Sequence, residues 1–150
     1  MLRVSKKSLE NTGLILLVVY FIFDGLQKLI DNKTEGEYFS AKIVNIEVYL
    51  YNSGLLLFNF AGFFSAYSRL LILLYGIIEF CAAVGLIFFE EREKRVRFIA
   101  IIVVMTIVDA LVLHNPFVEH GKPLHHETKH CLLSLTIASS LLMVAGYRKY

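Results

Sequence analysis

Five ionisable residues sit within, or at the end of, stretches that are otherwise apolar: Asp24, Lys28, Glu79, Asp109 and His114. In hydrocarbon an isolated charge costs several kcal/mol, so such groups persist when they are paired or used. Two kinds of chemistry are open to them. They can line a polar pocket that binds a small molecule, a lipid headgroup or a quinone-like group. They can also pair among themselves, Lys28 with Glu79 and with Asp24 or Asp109 nearby, and so lock helices together. Asp24 and Lys28 are i,i+4 and share a helix face. At a rise of ~1.5 Å per residue, Glu79 lies roughly 15 Å inward from Arg69 and Asp109 roughly 10 Å from Pro116. All five are then expected in one half of a bilayer, on the side away from the termini.

Other reactive residues carry weaker signals. His114, His120, His125, His126 and His130 cluster late in the chain. His126 and His130 are one turn apart, a spacing that can bind a metal. No third ligand accompanies them, so no metal is expected and a solvated, helix-capping loop is the alternative. Cys81 and Cys131 form no CxxC, are expected at different depths, and read as small apolar filler rather than a disulfide. No nucleophile–base pair, phosphate loop or haem motif is present, so no catalysis is expected. Arg92, Lys94, Arg95 and Arg97 can hold anionic headgroups of a phospholipid such as cardiolipin, or simply set topology. No other cofactor is expected.

These residues need elements that carry them into a membrane. Hydrophobic residues make up 57% of the 150-residue chain and charged residues 19%, a shift toward lipid relative to average usage. The net charge of +2 is too small to argue for nucleic acid. Four apolar stretches approach the ~20 residues that a ~30 Å hydrocarbon core requires: 12–30, 69–89, 97–115 and 130–147. The first is read as a retained span, not a cleaved signal, because no small-residue cleavage site follows it. The fold expected is an all-α, four-helix transmembrane bundle in one domain. Residues 43–66 are also apolar, but Asn52, Ser53, Gly54, Asn59 and Gly62 interrupt them. With four spans the basic N-terminus, the Glu90–Arg97 loop and the basic C-terminus share one face, as the positive-inside rule favours. A fifth span would separate them, so 43–66 is expected to be an interfacial or re-entrant segment of one or two helices. Gly25, Gly76, Ala82, Ala83 and Gly85 suit close helix packing.

The order Asp24-Gly25-Leu26-Gln27-Lys28, then Gly76-Ile77-Ile78-Glu79 with Ala82, Ala83 and Gly85, then Leu113-His114-Asn115-Pro116-Phe117 resembles the DoxX-like family of small four-span membrane proteins. The resemblance covers residues 13–147. Gly25, Lys28, Glu79, Gly85 and His114 match the family pattern, while alanines replace some glycines after Glu79. It implies a subunit of a membrane redox complex or a membrane-protein chaperone. The function expected is a non-catalytic accessory or assembly subunit of a larger, respiratory-type complex, with other integral membrane subunits and lipids as partners. The mitochondrial inner membrane is favoured, with both termini on the matrix-like or cytosol-like face. The alternative is a redox-linked or small-molecule-, quinone- or lipid-binding protein that uses the intramembrane pocket.

Overall fold

The computed structural model describes residues 6–55, 59–89, 91–115 and 124–147. The elements among them are all helical: α1 (Lys6–Ile30), α2 (Asn32–Asn52), α3 (Ala61–Ala66), α4 (Ser68–Phe88), α5 (Arg92–Val112) and α6 (Leu124–Tyr147). Two helices among the described residues are long and apolar enough to cross a bilayer. Thr12–Ile30 has a mean hydropathy of 1.9 and Ser68–Phe88 of 2.5. At 1.5 Å per residue they reach about 28 and about 31 Å.

The contacts run antiparallel. Gly25 of α1 meets Phe80 of α4, and Lys28 meets Gly76. Gly85 of α4 meets Phe98 of α5, and Tyr75 meets Met105. The buried core draws on four helices: Val18 and Phe21 of α1, Ala82, Ala83 and Leu86 of α4, Ile102 and Val103 of α5, and Ala138 and Leu141 of α6. Small residues on α4 let its neighbours approach closely, while large aliphatic side chains on α5 and α6 fill the space left.

Helix α2 departs from the sequence expectation. The polar run after Lys28 gave no sign of a helix, yet α2 begins at Asn32 and continues for 21 residues. Only a bend at Asp31 (φ −107°, ψ 38°) separates it from α1, and the Gln27 amide donates across that bend to Glu35 at 3.0 Å. It packs along α4, with Gly36 against the Arg69 backbone. The stretch 43–66 holds parts of two helices: its first part ends α2, and 61–66 form α3.

That ending has a clear cause. Gly54 takes a left-handed φ of 69°, the Leu55 N–H donates to the Leu50 carbonyl, and the Gly54 N–H donates to the Tyr51 carbonyl, both at 3.0 Å. These two bonds form a Schellman cap, which stops a helix and satisfies its last carbonyls. The Glu47 carboxylate then accepts from the Phe60 and Ala61 N–H groups at 2.6 and 3.2 Å, capping α3. An L side chain in the left-handed region costs about 1–2 kcal/mol. Gly54→Ala is expected to speed hydrogen exchange of the Leu55 amide about fivefold or more, with exchange in α4 unchanged.

Two further boundaries move. The Arg92–Arg97 run, expected in a loop, lies in the first turns of α5. Arg, Glu and Lys are good helix formers, and Lys94–Glu91 (2.9 Å) and Arg97–Glu93 (3.9 Å) pair at helical spacing. Helix α5 ends at Val112 rather than Asn115, with the Asp109 carbonyl accepting from both Leu113 (2.9 Å) and His114 (3.2 Å). Helix α6 starts earlier than expected, at Leu124, and includes His125 and His126.

Candidate functional site

The close approach of α1 to α4 builds the site. A Cβ on Gly25 would stand 3.1 Å from the Gly76 carbonyl, and one on Gly76 would stand 3.0 Å from the Gly25 carbonyl. Backbones this near bring the next turn of each helix into contact. There the Lys28 ammonium donates to Glu79 Oε2 at 2.8 Å and to Asp24 Oδ2 at 2.5 Å. From α5, Asp109 Oδ2 lies 3.8 Å from the same nitrogen, an ion pair beyond hydrogen-bond reach. One cation thus serves three carboxylates from three helices. Glu79, 1% exposed, is among the largest fully buried side chains, and Lys28 is almost as deep. Asp24 and Asp109 keep partial access.

Four of the five ionisable residues singled out in the sequence therefore meet. His114 lies near Asp109 but outside the ion pairs of Lys28. Its ring stacks on His130 of α6, with centroids 5.1 Å apart and planes 25° apart, which closes the α5–α6 end of the bundle.

Tyr75 completes the site and carried no sequence signal, because an aromatic in an apolar helix reads as core. The Lys28 ammonium stands 4.7 Å from its ring centroid, a cation–π contact, and its hydroxyl donates to the Met105 carbonyl at 2.7 Å. Lys42 was also missed. It is buried on α2, over the Tyr38 ring at 5.1 Å, and the Tyr38 hydroxyl donates to the Leu113 carbonyl at 3.4 Å.

A cavity of about 170 Å³ adjoins the cluster. It lies between α2, α3, α4 and α5, with Phe39, Phe64, Ile72 and Val112 in its wall and Tyr75 and Asp109 as its polar side chains. Asp109 lies in that wall and 3.8 Å from Lys28, but the surface the cavity presents is almost wholly apolar.

The other candidates fall elsewhere. Gly25, Gly76, Ala82, Ala83 and Gly85 are all buried at helix contacts. Cys81 is exposed on α4 and so is not core filler, while Cys131 is half-buried; both are free thiols. Helix α4 is apolar on every side, so its sequence could not tell an inner position from an outer one. Arg95 Nε donates to the Phe89 carbonyl at 2.7 Å. The side chains of Arg92 and His126 lie outside the described residues, as do His120 and Pro116. Among the described residues, no three His, Cys, Asp or Glu side chains are grouped to hold a metal ion. No family model, no curated protein and no solved structure matches the chain.

Proposed function

We propose that the chain is a four-span membrane protein that acts as a non-catalytic accessory or assembly subunit of a larger membrane complex. The observation that carries this reading is the mismatch between apolarity and burial. An apolar helix in the core of a soluble protein is mostly covered by its own fold. Here only 22% of Thr12–Ile30 and 39% of Ser68–Phe88 are buried. Leu16, Phe23, Leu74 and Ile78 point outward, and so do Val104 and Leu111 of α5 and Leu132 and Met143 of α6. Helices that are apolar all round need lipid or other subunits about them. Helices α5 and α6 share the core with α1 and α4, which supports taking them as the third and fourth spans. The ion cluster supports it too, since the Lys28 ammonium is spent on neighbouring helices rather than offered to a substrate. The DoxX-like resemblance and an organellar inner membrane belong to the same proposal, and rest on the short motifs and basic ends described above.

Mild-detergent isolation from native membranes followed by native mass spectrometry tests it. The expected result is stoichiometric co-purification with larger integral membrane subunits. A chain that emerges alone and homogeneous overturns the accessory reading.

One observation favours a second reading. The cavity beside Asp109 and Tyr75 has the apolar wall of a small-molecule site. On that reading the protein binds a small ligand inside the membrane.

A further inference from the structure

We infer that the cavity between α2, α3, α4 and α5 holds an uncharged hydrocarbon segment of about six carbons, part of the acyl chain of a membrane lipid that enters past Val108. The inference rests on the ligand-binding reading and names the chemistry bound.

Four observations point to this occupant. The first is the wall. Phe39, Phe64, Leu71, Ile72, Val108 and Val112 help to form it, and the surface it presents is almost wholly apolar. Its two polar side chains are engaged elsewhere. The Tyr75 hydroxyl donates to the Met105 carbonyl at 2.7 Å, and Asp109 has Lys28, the Tyr75 hydroxyl and His114 beside it. A headgroup, an amine or a quinone carbonyl would bury its polar atoms against carbon, which is unfavourable. Water is no better served, because it needs several polar partners, and a void forfeits the dispersion contacts of its lining. The second is size. At about 170 Å³, the space slightly exceeds the roughly 150 Å³ apolar cavity that accepts benzene, a six-carbon molecule. The third is the mouth. The cavity is open on one side, and Val108 both lines it and is exposed, on the same face of α5 as the exposed Val104 and Leu111. The way in therefore leads from an apolar outer surface, and a chain can lie partly inside and continue along that surface. The fourth is depth. Ile72 and Tyr75 lie in the first two turns of α4, and Val108 and Val112 in the last turns of α5, so the cavity sits within about 10 Å of the helix ends. That level matches the part of an acyl chain nearest its headgroup, not the chain end at the bilayer midplane.

Two photoreactive probes test it on the full chain reconstituted in phosphatidylcholine vesicles. One is a phosphatidylcholine with a diazirine near the headgroup end of one acyl chain. The other is a free cyclohexane bearing a diazirine. After illumination, adducts are mapped by mass spectrometry. Ile72 and Leu113 are buried yet line the cavity, whereas Ile102 and Leu141 are buried in the core. The lipid probe is expected to label Ile72 and Leu113 about tenfold or more above Ile102 and Leu141, as a cavity filled by hydrocarbon requires. Val112→Phe, which fills the cavity, is expected to abolish that excess and to leave labelling of the outward Leu74 and Leu111 unchanged. Should Val112→Phe fail to fold, Val108→Phe, at the exposed mouth, is expected to do the same. Labelling of Ile72 by the free ring but not by the lipid overturns the acyl-chain assignment and leaves the ligand-binding reading standing. Labelling of Ile72 by neither probe above the level of Ile102 overturns both. Lipid labelling of Ile72 that survives the filling substitution overturns the inference, because the chain then reaches it by another route.

Discussion

Lys28→Met is expected to destabilise the bundle by about 3–5 kcal/mol, the range for removing one partner of a buried ion pair. The reason lies in the count of charges. Lys28 is the cation held in common by Asp24, Glu79 and Asp109, at 2.5, 2.8 and 3.8 Å. Removing it leaves three carboxylates facing one another, and Glu79 is almost wholly buried. Glu79→Gln is the opposite case. The amide oxygen keeps the shape and can still accept from the ammonium, Asp24 and Asp109 still serve it, and one negative charge leaves a crowded site. That change is expected to cost about 1 kcal/mol or less. The pair Lys28→Met with Glu79→Gln should recover part of the loss from Lys28→Met alone, with a coupling of about 0.5–3 kcal/mol. Thermal unfolding in detergent by far-ultraviolet circular dichroism reads all three, with the single lysine variant lower by roughly 10 °C. If Lys28→Met and Glu79→Gln prove equally mild, the cluster does not lock the helices.

That cluster was largely visible in the sequence, and the reason is the apolar setting. Asp24, Lys28, Glu79 and Asp109 each interrupt a stretch that has no other use for charge, so their pairing could be expected before any contact was known. Tyr75 gave no such contrast. Its neighbours Leu73, Leu74 and Ile77 are equally apolar, and only the packed helices show that its ring lies beside the ammonium. The cavity was hidden for a related cause. Its wall draws Phe39 from α2 and Phe64 from α3, and α2 was not legible as one helix. The residues from Asn32 to Lys42 are polar and show no apolar stripe, and the helix forms where Gly36 lets it lie on the Arg69 backbone. Tertiary contact, not local preference, decides such a segment. The end of α2 was legible in part, since Asn52, Ser53 and Gly54 marked a break, though not the cap that Gly54 makes there.

The second large effect concerns the contact that makes the ion cluster possible. Gly76→Leu is expected to force α1 from α4 and to destabilise the protein by about 1–3 kcal/mol or more, the cost of overpacking. Even Gly76→Ala is expected to be unfavourable. A Cβ there would stand 3.0 Å from the Gly25 carbonyl oxygen and 3.0 Å from Lys28 Cβ, and a helix backbone can yield only by moving the whole helix. That shift outweighs the ~1 kcal/mol that alanine gains over glycine in a helix. Gly85 provides the contrast. A Cβ there meets the Phe98 ring at 2.7 Å, a closer contact but with a side chain. The ring can turn, at the expense of its stack on Phe89, so Gly85→Ala should be near neutral. The Lys28–Glu79 bond lies one turn from Gly76, so parting the helices also stretches that bond. Combining Gly76→Leu with Lys28→Met should therefore cost less than the sum of the two alone, because each removes part of what the other relies on. Strict additivity in the same unfolding measurement would mean that the glycine contact and the ion pair act independently, against the geometry that sets one directly upon the other.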